Sequence, residues 1–289
     1  MTDRPSLPDF LKSGPSVLKR GPIAIILVED DAAVAETLRH HVQIGFRHIL
    51  ALSPDPVPLP DDLAPRVTGL RWNTRRPHAH QEAVNAILPA VPAGTWLYYC
   101  YNAEFLFFPF SETRSVGELL AFHVEERREA MLTYVVDLYS PDLARDPDAV
   151  NLAEAMFDRA GYFALGRKGP DGHPLERQLD FHGGLRWRFE EHVPTASRRI
   201  DRIALFRAAP NLRLEANHCF NIPEYNTYAC PWHHNLTAAI ASFRAAKALA
   251  RNPGSRDAIG SFRWRNSEPF QWKAQQLMDL GLMEPGQWF

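Results

Sequence analysis

Cysteine, net charge and long apolar runs are all scarce in this chain. Three cysteines in 289 residues, Cys100, Cys219 and Cys230, are too few for a disulfide framework and fit a reducing, cytoplasmic compartment. A formal net charge of −2 gives no electrostatic reason to expect nucleic acid or an anionic membrane as partner. The longest uninterrupted apolar runs, such as Ile23 to Val28, are far too short for a transmembrane segment. No internal repeat or low-complexity block is visible. The 24 prolines are scattered between elements, and no stretch separates domains convincingly. What remains is a chain long enough to bury a large core. Residues 1–22, broken by proline and charge, read as a flexible N-terminal tail, and 23–289 as a single domain.

The apolar segments have the rhythm of an α/β fold. Ile23 to Val28 is a continuous run rich in β-branched residues, hence a buried strand, and Glu29-Asp30-Asp31 closes it. Val34, Leu38 and Val42 then recur every four residues, one face of a helix that stops at Gly45. His48 to Leu52 is the second strand, closed by Ser53-Pro-Asp55-Pro56. A helix over His78 to Leu88 follows, carrying Gln81 and Asn85. Trp96 to Phe110 is an aromatic-rich run interrupted by one carboxylate, Glu104, and reads as a buried strand with its acid at the C-terminal end. Val116 to Arg128 reads as a helix and Met131 to Val136 as a strand that ends at Asp137.

Three groups of residues suggest chemistry. Carboxylates at the C-terminal ends of adjacent parallel strands can accept hydrogen bonds from a base and a ribose, which marks Asp30, Asp31 and Asp55. Their plainer role is capping, since acids are favoured at a helix N-terminus. In Phe181-His-Gly-Gly-Leu-Arg-Trp-Arg188, Gly183 and Gly184 permit close backbone approach. On a strand, Arg186 and Arg188 would point the same way and clamp a diphosphate; the alternative is a solvated arginine face. His218, Cys219, Cys230, His233 and His234 are all permissible zinc ligands, but only Cys230-x-x-His233 has a familiar spacing. A helix over Leu236 to Ala250 follows, with Leu236, Ile240 and Phe243 on its apolar face.

Taken in order, these segments resemble bacterial family 2-like glycosyltransferases of the GT-A fold. Trp96, Glu104 and Phe105 match the W…D-x-D-E-F strand end, Asp137-Leu-Tyr-Ser140 resembles its Asp-Met-Tyr-Ser segment, and Gly183-Gly-x-Arg-x-Arg188 its Gly-Gly-x-Arg-x-Arg signature. Asp30-Asp31 stand where Asn-Glu is usual, His41 and Gly45 fit the helix end, and Ser53 with Asp55 fall near an Asp-x-x-Ser-x-Asp loop. His218 and His233 fit two further family positions, while Asn235 replaces a lysine. The resemblance implies a mostly parallel sheet flanked by helices, with a C-terminal helical extension. It implies transfer of a sugar from a nucleotide-sugar donor to a glycan or small-molecule acceptor. Glu104 or Asp137 would be the base, Arg186 and Arg188 the stabilisers of the leaving diphosphate. Asp30, Asp31, Asp55, Gly183, Gly184, His218 and His233 would lie on the donor side.

The family's D-x-D carboxylates hold Mn²⁺ or Mg²⁺, and here Tyr101 and Ala103 replace them. A phenol and a methyl are poor ligands for a hard cation. The expectation is therefore weak binding of Mn²⁺ or Mg²⁺ there unless Glu104 turns into the site, with the cofactor left open, and a transferase able to work without the metal. The alternatives are a catalytically degenerate protein that binds a nucleotide, a sugar or a partner, and a zinc protein built on the Cys/His cluster.

Overall fold

The structure is a computed structural model that describes residues 4–228 and 235–288. In its first half, strands β1 (Ile23–Leu27), β2 (His48–Ser53), β3 (Val67–Arg71), β4 (Trp96–Tyr101), β5 (Glu104–Phe107) and β6 (Ala130–Tyr139) alternate with helices α1 (Leu7–Lys12), α2 (Val34–Gln43), α3 (Ala79–Ile87) and α4 (Val116–Glu125). In the second half come β7 (Met156–Asp158), β8 (Phe163–Lys168), β9 (Pro174–His182), α5 (Gly184–Arg188), β10 (Asp201–Arg207), β11 (Ala238–Ser242), α6 (Arg244–Arg251), β12 (Ser267–Pro269) and α7 (Ala274–Asp279). The fold is α/β, with a mixed sheet whose N-terminal strands are parallel and are flanked by helices.

Two compact units divide the chain. The first holds the residues up to Ala103, with Thr113–Met131 and Ile203–Asn226; the second holds Glu104–Glu112, Leu132–Arg202 and the residues from Thr227 onward.

In the first unit, β3, β2, β1 and β4 lie side by side and parallel, with Ile25 opposite Leu50 on one side and Tyr99 on the other. All five residues of β1 are buried, which explains a run without alternation. Helix α2 buries Val34, Thr37, Leu38 and His41, and Gly45 beyond it takes φ 106°. Helix α4 opens on a capping box between Ser115 and Glu118. Residues read as a tail also fold here: α1 begins on the Ser6 cap with Pro8 in its first turn, and Leu7 and Leu18 are buried. Proline suits a first turn, so what looked like a break is a helix start.

In the second unit, β11 lies parallel to β6 and antiparallel to β5, while β7 pairs antiparallel with β6 and β12 with β7. Strands β8 and β9 form a separate hairpin. Two expected elements differ. The helix expected over Leu236 to Ala250 is strand β11 followed by α6, because Ala238 to Ser242 is buried between two strands, where small side chains fit and packing overrides alanine's helix propensity. The strand expected over Trp96 to Phe110 is two strands, broken where Ala103 takes φ 57° and its N–H bonds Thr37 Oγ1 at 2.9 Å.

Candidate functional site

The parallel strands of the first unit change direction of travel at β1, with β2 and β3 to one side and β4 to the other. In open α/β sheets, ligands bind beyond the carboxyl ends of the strands at such a point. Asn102, directly after β4, sits there. Its Oδ1 accepts the Glu29 N–H at 2.9 Å, and its Nδ2 donates to Asp30 Oδ1 at 2.6 Å and to the Ala32 carbonyl at 2.9 Å. Asp30 Oδ1 also accepts the Ala32 N–H at 3.1 Å. Asp30 therefore shapes the loop before α2, whose N-cap, Ala33, has no side-chain cap. Asp31 is exposed. Asp55, after β2, pairs with Arg75 at 3.0 Å, and Arg75 Nε donates to the Glu29 carbonyl at 2.8 Å. One arginine thus joins the loops that follow β1 and β2.

The divalent metal implied by the resemblance does not fit these residues. Tyr101 is buried, Ala103 offers a methyl, and the side-chain carbonyl between them, Asn102 Oδ1, is committed to the Glu29 N–H. Among the described residues, no group of three or more His, Cys, Asp and Glu side chains is placed to hold a metal ion. His218 receives or donates a 2.8 Å hydrogen bond with Tyr99 Oη and stacks on His80 at 4.4 Å between ring centroids. Cys219 is buried, with its N–H bonded to Asn217 Oδ1. Cys230, His233 and His234 lie outside the described residues.

The second unit brings together the four residues expected to do chemistry. Glu104 on β5 and Asp137 on β6 both stand opposite Ser242 of β11, which puts them in one row across three strands. Strand spacing sets their Cα atoms roughly 10 Å apart. Glu104 is enclosed: Arg202 Nη1 and Nη2 donate to its two oxygens at 2.7 and 2.8 Å, and Ser242 Oγ donates at 2.9 Å. Both members of that pair are buried. Asp137 is different. Its Oδ2 accepts the Leu185 N–H at 3.0 Å, while Oδ1 has no hydrogen-bond partner among the described residues and its neighbouring cation, Arg186 Nε, is 3.9 Å away. Burial pushes the Asp137 carboxyl up to about 6, with Asp158 adding to the rise and Arg186 and the backbone N–H groups opposing it.

Arg186 and Arg188 lie on the short helix α5 rather than on a strand. Arg186 donates to the Arg199 carbonyl at 2.9 Å; burial lowers its pKa, against the pull of Asp137. Arg188 meets both Asp158 oxygens at 3.1 Å, donates to the Phe262 carbonyl at 2.7 Å and covers the Trp264 ring at 4.6 Å. Tyr139 Oη and Trp264 Nε1 also donate to Asp158, at 2.6 and 2.7 Å.

The glycine pair has a packing reason. A Cβ on Gly183 would stand 2.4 Å from the Tyr162 ring, and one on Gly184, at φ 60°, would stand 2.7 Å from Asp137 Oδ2. The glycines let a phenol and a carboxyl of the chain itself reach the turn, at the place where the sequence suggests approach to a ligand.

Asn102, Arg75, Arg202, Asp158 and Tyr162 were not singled out by sequence as functional. Arg202 meets Glu104 across 98 residues, and no local pattern encodes so distant a pair.

No family model and no curated protein matches this chain. Among solved structures, it is similar to CMP:2-keto-3-deoxy-manno-octonic acid synthetase complexed with CTP, at 9% identity over 90% of this chain and 87% of that one, with a TM-score of 0.28.

Proposed function

We propose that the protein transfers a sugar from a nucleotide-sugar donor without a divalent metal. The observation that carries this reading is the row in the second unit: a buried carboxyl with one unpartnered oxygen, Asp137, beside a buried cation, Arg186. Burial raises the Asp137 carboxyl to about 6, and its open oxygen suits a general base that takes the acceptor's hydroxyl proton. Fixed positive charge from Arg186 suits a developing anion. Glu104 fits a positioning role, because Arg202 occupies both its oxygens.

The test is release of nucleoside diphosphate from a panel of UDP-, GDP-, CMP- and dTDP-linked sugars in EDTA, with isothermal titration of the same compounds (CMP release for the CMP-linked sugars). Turnover by the wild type that is lost in Asp137→Asn is expected. Absence of both binding and release with every donor would overturn the proposal. A second reading, binding without transfer, draws support from the enclosure of Glu104 and the replaced metal aspartates; binding without release would favour it.

A further inference from the structure

The near-neutral total charge hides a local imbalance in the second unit. From Arg244 to Lys273 the chain carries seven arginines and lysines against two acids, although the whole sequence has a net charge of −2. Part of that surplus has no internal use. Arg159, Arg263 and Arg265 are exposed, and none of the three guanidinium groups makes an ion pair or hydrogen bond among the described residues. The fold gathers them. The Arg159 N–H donates to the Asn266 carbonyl at 3.0 Å, where β7 and β12 pair. Trp264, between Arg263 and Arg265, is anchored through Nε1 on buried Asp158 at 2.7 Å, and Arg265 lies over its ring at 5.9 Å.

Apolar surface adjoins these arginines. Among the described residues, Phe163, Leu165, Leu175 and Trp187 are exposed, all on the β8–β9 hairpin or α5, and the one other exposed large apolar side chain is Val124. Phe163 stacks on His182 across the hairpin at 5.2 Å, and the Trp187 ring meets it edge-on at 6.3 Å. Phe181 projects from the opposite face and stacks on Tyr134, so Phe163 and Leu165 point away from the core. Arg188, next to Trp187, covers the Trp264 ring at 4.6 Å and joins the rings to the arginines.

We propose that this face of the second unit docks on a membrane surface rich in anionic lipid. Unpaired arginines answer the headgroup phosphates, for which a guanidinium fork is suited. Phe163, Leu165 and Leu175 reach the boundary of the acyl chains, and Trp187 suits the headgroup level, where its ring is half wet. A soluble polyanion such as a nucleic acid would use the arginines and stack on the rings, yet leave both leucines in water. A second copy of the chain in an isologous contact would set arginines against arginines. The docking is peripheral, since no helix among the described residues is long and apolar enough to cross a membrane. It stands whether or not a nucleotide-sugar is turned over.

The test is flotation of the full chain with vesicles of phosphatidylcholine alone and of phosphatidylcholine with equimolar phosphatidylglycerol. Binding to the anionic vesicles, absent with phosphatidylcholine alone and weakened by salt, is expected. The double variant Arg263→Ala/Arg265→Ala should weaken it by roughly twentyfold, about fivefold for each basic residue at an anionic surface. Leu165→Ser, at an exposed position of β8, should weaken it by roughly threefold or more through lost apolar burial. Val124→Ser, exposed in the first unit, should leave it unchanged. No binding to the anionic vesicles, equal binding to phosphatidylcholine alone, or wild-type affinity in the arginine variant would each overturn the proposal. Binding that falls in the arginine variant but not in Leu165→Ser would overturn it in favour of a soluble polyanion.

Discussion

Arg202 grips Glu104 with two nearly equal hydrogen bonds, 2.7 and 2.8 Å, while the carboxylate is wholly shielded from solvent. An ion pair of this kind resists the loss of one partner far more than the loss of both. Removing one side strands a buried charge at about 3–5 kcal/mol, whereas apolar replacement of the pair is often near neutral. Arg202→Ala and Glu104→Gln should therefore each lower stability strongly in urea unfolding, and the double variant Glu104→Met/Arg202→Met should be more stable than either. A double variant as damaged as the sum of the singles would show that the pair does not act as a unit.

Asp137 should give the protein an unusual pH dependence. Its folded-state pKa is raised to about 6 from an ordinary carboxylate value, so between those two values the folded state binds more protons than the unfolded. This group's contribution to stability is present at low pH and declines as pH rises through about 4 to 6, opposite to a salt-bridged acid. The loss is on the order of 2–3 kcal/mol. Urea unfolding at pH 4 to 8 should show this decline in the wild type and its absence in Asp137→Asn. Parallel profiles for the two proteins would assign the effect elsewhere. If Asp137 is also the base, the transfer rate should climb around its folded value, with its midpoint at about pH 6.

The two glycines of the turn should tolerate nothing larger. Gly184→Ala combines φ 60° with a contact at 2.7 Å on Asp137, and Gly183→Ala meets the Tyr162 ring at 2.4 Å. Each should cost on the order of 1–3 kcal/mol, and Gly183→Ala should also alter the near-ultraviolet tyrosine signal. Gly117→Ala is the contrast. It lies exposed in α4, with Ser115 Oγ at an ordinary 3.6 Å, and should stabilise by roughly 0.5–1 kcal/mol. Equal melting shifts for Gly184→Ala and Gly117→Ala would contradict this account.

Much of the scaffold was legible because burial left a simple trace. Strands β1 and β2 and the helices α2 and α4 follow from apolar runs, four-residue spacing and stop residues. The candidate carboxylates were legible too, and Glu104, Asp137, Arg186 and Arg188 all fall in the second unit. Their roles were not. Whether an acid is open or occupied depends on partners such as Arg202 and Leu185, which lie 98 and 48 residues away. The alanine-rich run after Leu236 misled for a related reason: small apolar residues satisfy both helix and buried-strand patterns, and only the neighbouring strands decide. Arg186 and Arg188 were placed on a strand because a two-residue spacing carries no record of the helical turn that follows a glycine at positive φ.

Asn102 changes what the crevice at β1 depends on. A pair of carboxylates at that place would repel each other until a cation arrived, so loop order would rise and fall with the supply of ions. A single amide has both a donor and an acceptor, and Asn102 uses them to hold Glu29, Asp30 and Ala32. Assembly of the loop becomes part of folding itself. Chelators should leave it untouched, and the entropy of ordering it is spent before any ligand is met.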